Sequence, residues 1–95
     1  MDNNQYIQLE VICTNYKIEP SFIESLCEFG LLELYEEEDG RFVDPVHLTD
    51  LERMIRLHYD LGVNMEGLDT IWHLLERIES LQQELVELKN IRSSF

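Results

Sequence analysis

The sequence predicts a mainly α protein. Two short helices joined by a tight turn lead into a two-stranded hairpin, then a third helix, then a long C-terminal helix that leaves the globular part. Three observations carry this. Pro20–Leu32 reads as a short helix closed by Gly30. An Asp-Gly pair at Asp39-Gly40 interrupts residues of strand character. From Ile71 the apolar residues fall into a heptad pattern. The 95 residues make one small domain, set here at 1–76, with 77–95 as a coiled-coil extension of the last helix.

Ile7 or Tyr6 opens the chain as a short extended entry after a loose end at Met1–Asn4. Leu9, Ile12 and Cys13 share one side of a first helix over Leu9–Asn15. Asn15–Ile18 is the turn. In the second helix Pro20 suits the first turn, where a missing N–H is no loss. Phe22, Ile23, Leu26 and Phe29 form its apolar face, and Ser21, Glu24, Ser25 and Glu28 its outer face. Gly30 stands where a left-handed cap is expected. Two short helices with a tight turn are the helix-turn-helix pattern.

Leu32, Leu34 and Phe42 have strand character on either side of Glu38-Asp39-Gly40, which predicts a small β-hairpin wing with an acidic tip. Asp44 caps a third helix with Pro45 at its first position. Its inner face is Leu48, Leu51, Met54, Ile55, His58 and Leu61, and Gly62 ends it. Asn64 caps the last helix, with Val63 and Leu68 as a hydrophobic staple. Gly67 is its weak point, costing about 1 kcal/mol against Ala. Ile71, Ile78 and Leu85 occupy one seam position of the heptad; Leu74, Leu81, Leu88 and Phe95 occupy the other. Seven of eight seam positions are apolar, Arg92 being the exception. No other helix is long enough to cover this seam, so a two-fold homodimer through Ile71, Leu74, Ile78, Leu81, Leu85 and Leu88 is expected. The stripe's other use is packing on the core, through Leu68, Trp72 and Leu75.

The formal net charge is −13, and residues 1–50, with twelve acids and two bases, hold −10 of it. Such a field repels phosphate and attracts cationic surfaces. No signal peptide opens the chain and no apolar run is long enough to span a membrane, so a cytoplasmic protein with reduced Cys13 and Cys27 is expected. His47, His58 and His73 share no metal-ligand spacing with the cysteines, and no phosphate-cradling loop or Ser–His–Asp grouping stands out. Neither an enzyme nor a metal or cofactor site is expected.

The order of elements resembles the winged-helix regulators of the MerR type. In that family the recognition helix follows the form leucine-arginine-x-tyrosine-glutamate-x-x-glycine-leucine. The matching residues here are Ile23-Glu24-Ser25-Leu26-Cys27-Glu28-Phe29-Gly30-Leu31. The apolar frame and the Gly-Leu are kept, but the arginine is Glu24. Where that family's wing carries arginines for the DNA backbone, this chain has Glu33-Leu34-Tyr35-Glu36, with Arg41 the only base nearby. DNA-binding modules rely on Lys and Arg at phosphates, and an acid there repels.

Within that fold the chain resembles the CbpM family of chaperone modulators. The resemblance lies in its short length, Gly30–Glu33, Phe42–Asp44, and Arg56–Val63 ahead of the leucine-rich tail. It implies a modulator that binds the J-domain of a DnaJ-like co-chaperone, CbpA, and restrains its stimulation of DnaK and its DNA binding. J-domains present a basic helix, for which an acidic surface is complementary. Glu24, Glu28, Glu33, Glu36, Glu37, Glu38 and Asp39 are the candidate partner-binding residues. Two other readings remain: a MerR-type DNA-binding transcriptional regulator using Lys17, Arg53 and Arg56 on phosphates, and a scaffold whose working surface is the coiled coil.

Overall fold

A computed structural model describes residues 5–93. The Met1–Asn4 end and the seam position Phe95 lie outside the described residues. Strand β1 is Ile7–Gln8, α1 Leu9–Tyr16, α2 Pro20–Glu28, β2 Tyr35–Glu37 and β3 Gly40–Val43. A 3-10 turn at Pro45–His47 leads into α3, Leu48–Ile55, which continues as a π turn over Arg56–Asp60. The last helix, α4, is Met65–Ser93.

Several helix ends obey a local rule. At the end of α2, Gly30 takes φ +75°. Its N–H donates to the Cys27 carbonyl, and the Leu31 N–H to the Leu26 carbonyl, which satisfies carbonyls the helix leaves orphaned. The end of α1 is similar, with Ile18 N–H on the Cys13 carbonyl at 3.0 Å. There the left-handed residue is Lys17, φ 56°, a conformation that opposes its Cβ. Asp44 Oδ1 accepts from Val46 N–H, and Asn64 Oδ1 from Gly67 N–H at 2.8 Å.

Apolar faces from every layer meet in one core. Leu9 and Ile12 of α1, Ile23 and Leu26 of α2, Val43 of β3, Leu51 of α3 and Leu68 of α4 are all essentially inaccessible to solvent. Burying each aliphatic side chain contributes about 1.5–3 kcal/mol, and these residues are what fix the helices against the wing. Trp72 packs against the core from α4 and Leu75 is half-buried.

The wing is larger than a hairpin. All three strands form one antiparallel sheet in the order β1-β3-β2, with Ile7 opposite Val43 and Glu36 opposite Arg41. Leu32 and Leu34 are not in a strand, contrary to the expectation. Leu31 and Leu32 are both buried, whereas a strand turns neighbours to opposite faces, so the chain drops straight from the α2 cap into the core.

Two apolar-face assignments also change. Phe29 lies past the last turn of α2 and is 38% exposed. Leu61 is 71% exposed because the π turn carries an extra residue, which rotates later positions off the 3.6-residue face. The expected single third helix is therefore a 3-10, α and π run, and its end at Gly62 (φ +70°) is as expected. Cys13 is buried but Cys27 only partly so; burial raises both thiol pKa values.

Candidate partner-binding surface

The Schellman end of α2 and the sheet pairing of β3 bring the wing alongside the second helix. Ile23 and Leu26 anchor the inner face of α2, so Ser21, Glu24 and Glu28 are left in solvent and Ser25 half-exposed. On the wing, the two-residue loop Glu38-Asp39 closes on Gly40, whose φ of +138° is a glycine conformation. The Tyr6 and Tyr35 rings, 5.1 Å apart, brace the sheet beside it.

Arg41 Nη1 donates to Glu24 Oε2 at 3.0 Å, joining β3 to α2. Hydrogen bonding to Glu24 is the leading cause that pushes the guanidinium pKa further up, with the charges of Glu24, Glu10 and Glu36 adding to it. The seven candidate acids thus fall into distinct settings. Glu24 and Glu36 flank Arg41, one from α2 and one across the strand pair. Glu28 is exposed on the same helix as Glu24. Glu33 accepts from the Tyr35 hydroxyl at 3.2 Å and turns toward a cleft beside α4. Glu37, Glu38 and Asp39 stand exposed at the tip, with no cationic partner among the described residues.

The candidate dimer residues lie on α4, which is about 44 Å long at 1.5 Å per residue. Every position from Glu76 to Ser93 is exposed. Leu74, Ile78, Leu81, Leu85 and Leu88 are 45–57% exposed, and Ile71 is half-buried. Val86 and Ile91, outside the expected seam, are exposed apolar residues as well.

Several features escaped sequence reasoning. The π turn sets His58 face to face with Phe22, centroids 4.7 Å apart, and Tyr59 edge-on to both rings. His58 Nδ1 donates to the Val63 carbonyl at 2.8 Å, so this histidine clamps the α3–α4 link. Tyr16 donates to Glu52 at 2.7 Å, tying α1 to α3. Among the described residues no His, Cys, Asp and Glu side chains group as a metal site, and no helix is long and apolar enough to cross a membrane.

A helix-turn-helix with an exposed second helix, a wing hydrogen-bonded to it and a long C-terminal helix defines a winged helix-turn-helix protein. A family model described as MerR HTH family regulatory protein matches residues 7–90. The chain belongs to the MerR helix-turn-helix family. No curated protein and no solved structure matches it.

Proposed function

We propose that this chain is a non-enzymatic modulator that binds the J-domain of a DnaJ-like co-chaperone of the CbpA type and inhibits its co-chaperone and DNA-binding activity. The observation that carries the reading is Glu24. It stands outward on the helix that the family presents to DNA, 50% exposed, and Arg41 holds the wing to it. The surface that would grip phosphates is therefore an acidic platform. Its charge complements a basic helix and steers such a partner toward it. The exposed apolar seam of α4 supports a homodimer, since a stripe of this length is costly to leave in water.

Titration with a J-domain at several salt concentrations tests the proposal. Binding that weakens as salt rises is the expected result; no binding even at low salt removes the reading. A second reading, a DNA-binding transcriptional regulator, draws on Lys17, Arg53 and Arg56. All three are exposed and none has a carboxylate partner among the described residues. A specific operator shift at physiological salt would put it first. The net charge of −13 weighs against it.

A further inference from the structure

We infer that the groove beside Trp72 is the seat of a basic amphipathic helix from the partner protein. This deepens the proposed function and rests on its reading of the partner as cationic.

Two adjoining clefts, of about 470 and 370 Å³, share Asp50, Trp72 and Glu76. Together they run along one flank of α4. At one end the wall is Glu33 and the buried turn after α2; at the other it is Glu79 and Gln82. The floor is apolar, made by the half-buried Trp72, then Leu75 and Ile78. From Trp72 to Gln82 the helix rises about 15 Å, which matches roughly three turns of a docked helix.

The walls carry the charge. Glu33, Asp50, Glu76 and Glu79 are carboxylates, against one guanidinium, Arg53, and one imidazole, His47. Glu76 and Glu79 have no ion pair among the described residues. An apolar floor between acidic walls fits a helix with aliphatic side chains on one face and Lys or Arg along its borders. Nucleic acid is repelled by the same walls. A second copy of α4 suits the groove less well, because its exposed surface mixes Glu84 and Glu87 with Lys89 and Arg92. Glu33 makes the groove continuous with the acidic platform. The apolar seam meets the groove at Ile78, so a homodimer would border the groove along that edge and leave the Glu33, Asp50 and Trp72 end to the partner.

Trp72 is the only tryptophan in the chain, so every change in tryptophan emission arises at the groove or at the core face it packs on. The full chain is titrated with a tryptophan-free J-domain at low salt, with calorimetry in parallel. Expected is a saturable shift of emission to shorter wavelength. Glu76→Lys and Glu79→Lys, both at exposed helical positions, should each weaken binding about tenfold, with the circular dichroism spectrum unchanged. Unchanged emission during calorimetrically visible binding would overturn the inference while leaving the proposed function standing. So would a loss of affinity confined to Glu37→Lys and Glu38→Lys. Emission that follows the chain's own concentration and ignores the J-domain assigns the groove to a second copy and also overturns it. No binding by either method removes the proposed function itself.

Discussion

Arg41 Nη1 lies 3.0 Å from Glu24 Oε2, so a wing cation is held by an acid at the position where the family's recognition helix carries an arginine. Glu24→Lys places like charges across this contact. A weakening of J-domain binding by about tenfold or more is expected, with little change in melting temperature because the pair is half-exposed. Arg41→Gln takes the one cation out of the platform, and binding at low salt should tighten. Calorimetry at low and high salt checks both; Arg41→Gln that weakens binding would mean that the wing–helix link, or the arginine itself, is needed for docking.

The Tyr16–Glu52 hydrogen bond spans thirty-six residues at 2.7 Å. Tyr16→Phe removes the donor and leaves Glu52 to water, for an expected loss of about 1 kcal/mol in urea unfolding. Hydrogen bonding to Glu52, with burial and its charge, raises the Tyr16 pKa. A raised folded value means the unfolded chain ionises first. This contribution is complete below the unfolded tyrosine value and is lost as pH climbs through the folded one. Tyr16→Phe should show a shallower alkaline decline, the remainder coming from Cys13, Cys27 and Tyr35, whose folded values are also raised.

Gly67 reads as a helix-weakening residue, yet a Cβ there would sit 2.7 Å from Val63 Cγ1 and 3.1 Å from Asn64 Oδ1. Gly67→Ala should therefore fail to deliver the usual gain of about 1 kcal/mol and should destabilise instead. In the Val63→Ala background the 2.7 Å contact is gone and only the approach to Asn64 Oδ1 at 3.1 Å remains, so the same change should cost much less. A thermal double-mutant cycle reads the difference.

Leu81 is 45% exposed at the middle of the seam. Leu81→Asp costs a lone helix little, but in a dimer it sets two carboxylates in an apolar interface. Halved mass in sedimentation equilibrium and a fall in helical signal are expected. A wild-type chain that already sediments as one copy would exclude the homodimer.

His73 Nδ1 donates to the Asp69 carbonyl at 2.7 Å and faces its carboxylate at 3.4 Å. The backbone hydrogen bond first, and the Asp69 charge next, raise its pKa above 6.5. Any stability it lends is fully present below the unfolded value and lost as pH rises through the higher folded value. Its NMR titration midpoint should lie above 6.5, and Asp69→Asn should bring it part of the way down.

Helix punctuation was legible because it is local: Pro20, Gly30, Asp44-Pro45, Gly62 and Asn64 each act within a few residues. The outward Glu24 followed from the spacing of Ile23 and Leu26 alone. Its pairing with Arg41 did not, since the partner lies seventeen positions away on a different element. Strand β1, two residues long, is too short to show alternation. A π turn breaks the period of 3.6 residues per turn, and by that period alone Leu61 falls on the inner face. Leu31 and Leu32 look like a strand's opening, and only the cap hydrogen bond to Leu26 shows the chain turning into the core instead. The Trp72 groove needs three elements brought together, which no single stretch announces.

Because β3 is the middle strand, the acidic hairpin is anchored by Ile7–Gln8 as well as by its own turn. Deleting that dipeptide removes no carboxylate, yet it would free β3 along one edge and let the tip swing away from Glu24. The geometry of the charged face is thus controlled in part by an uncharged strand that supplies none of its carboxylates.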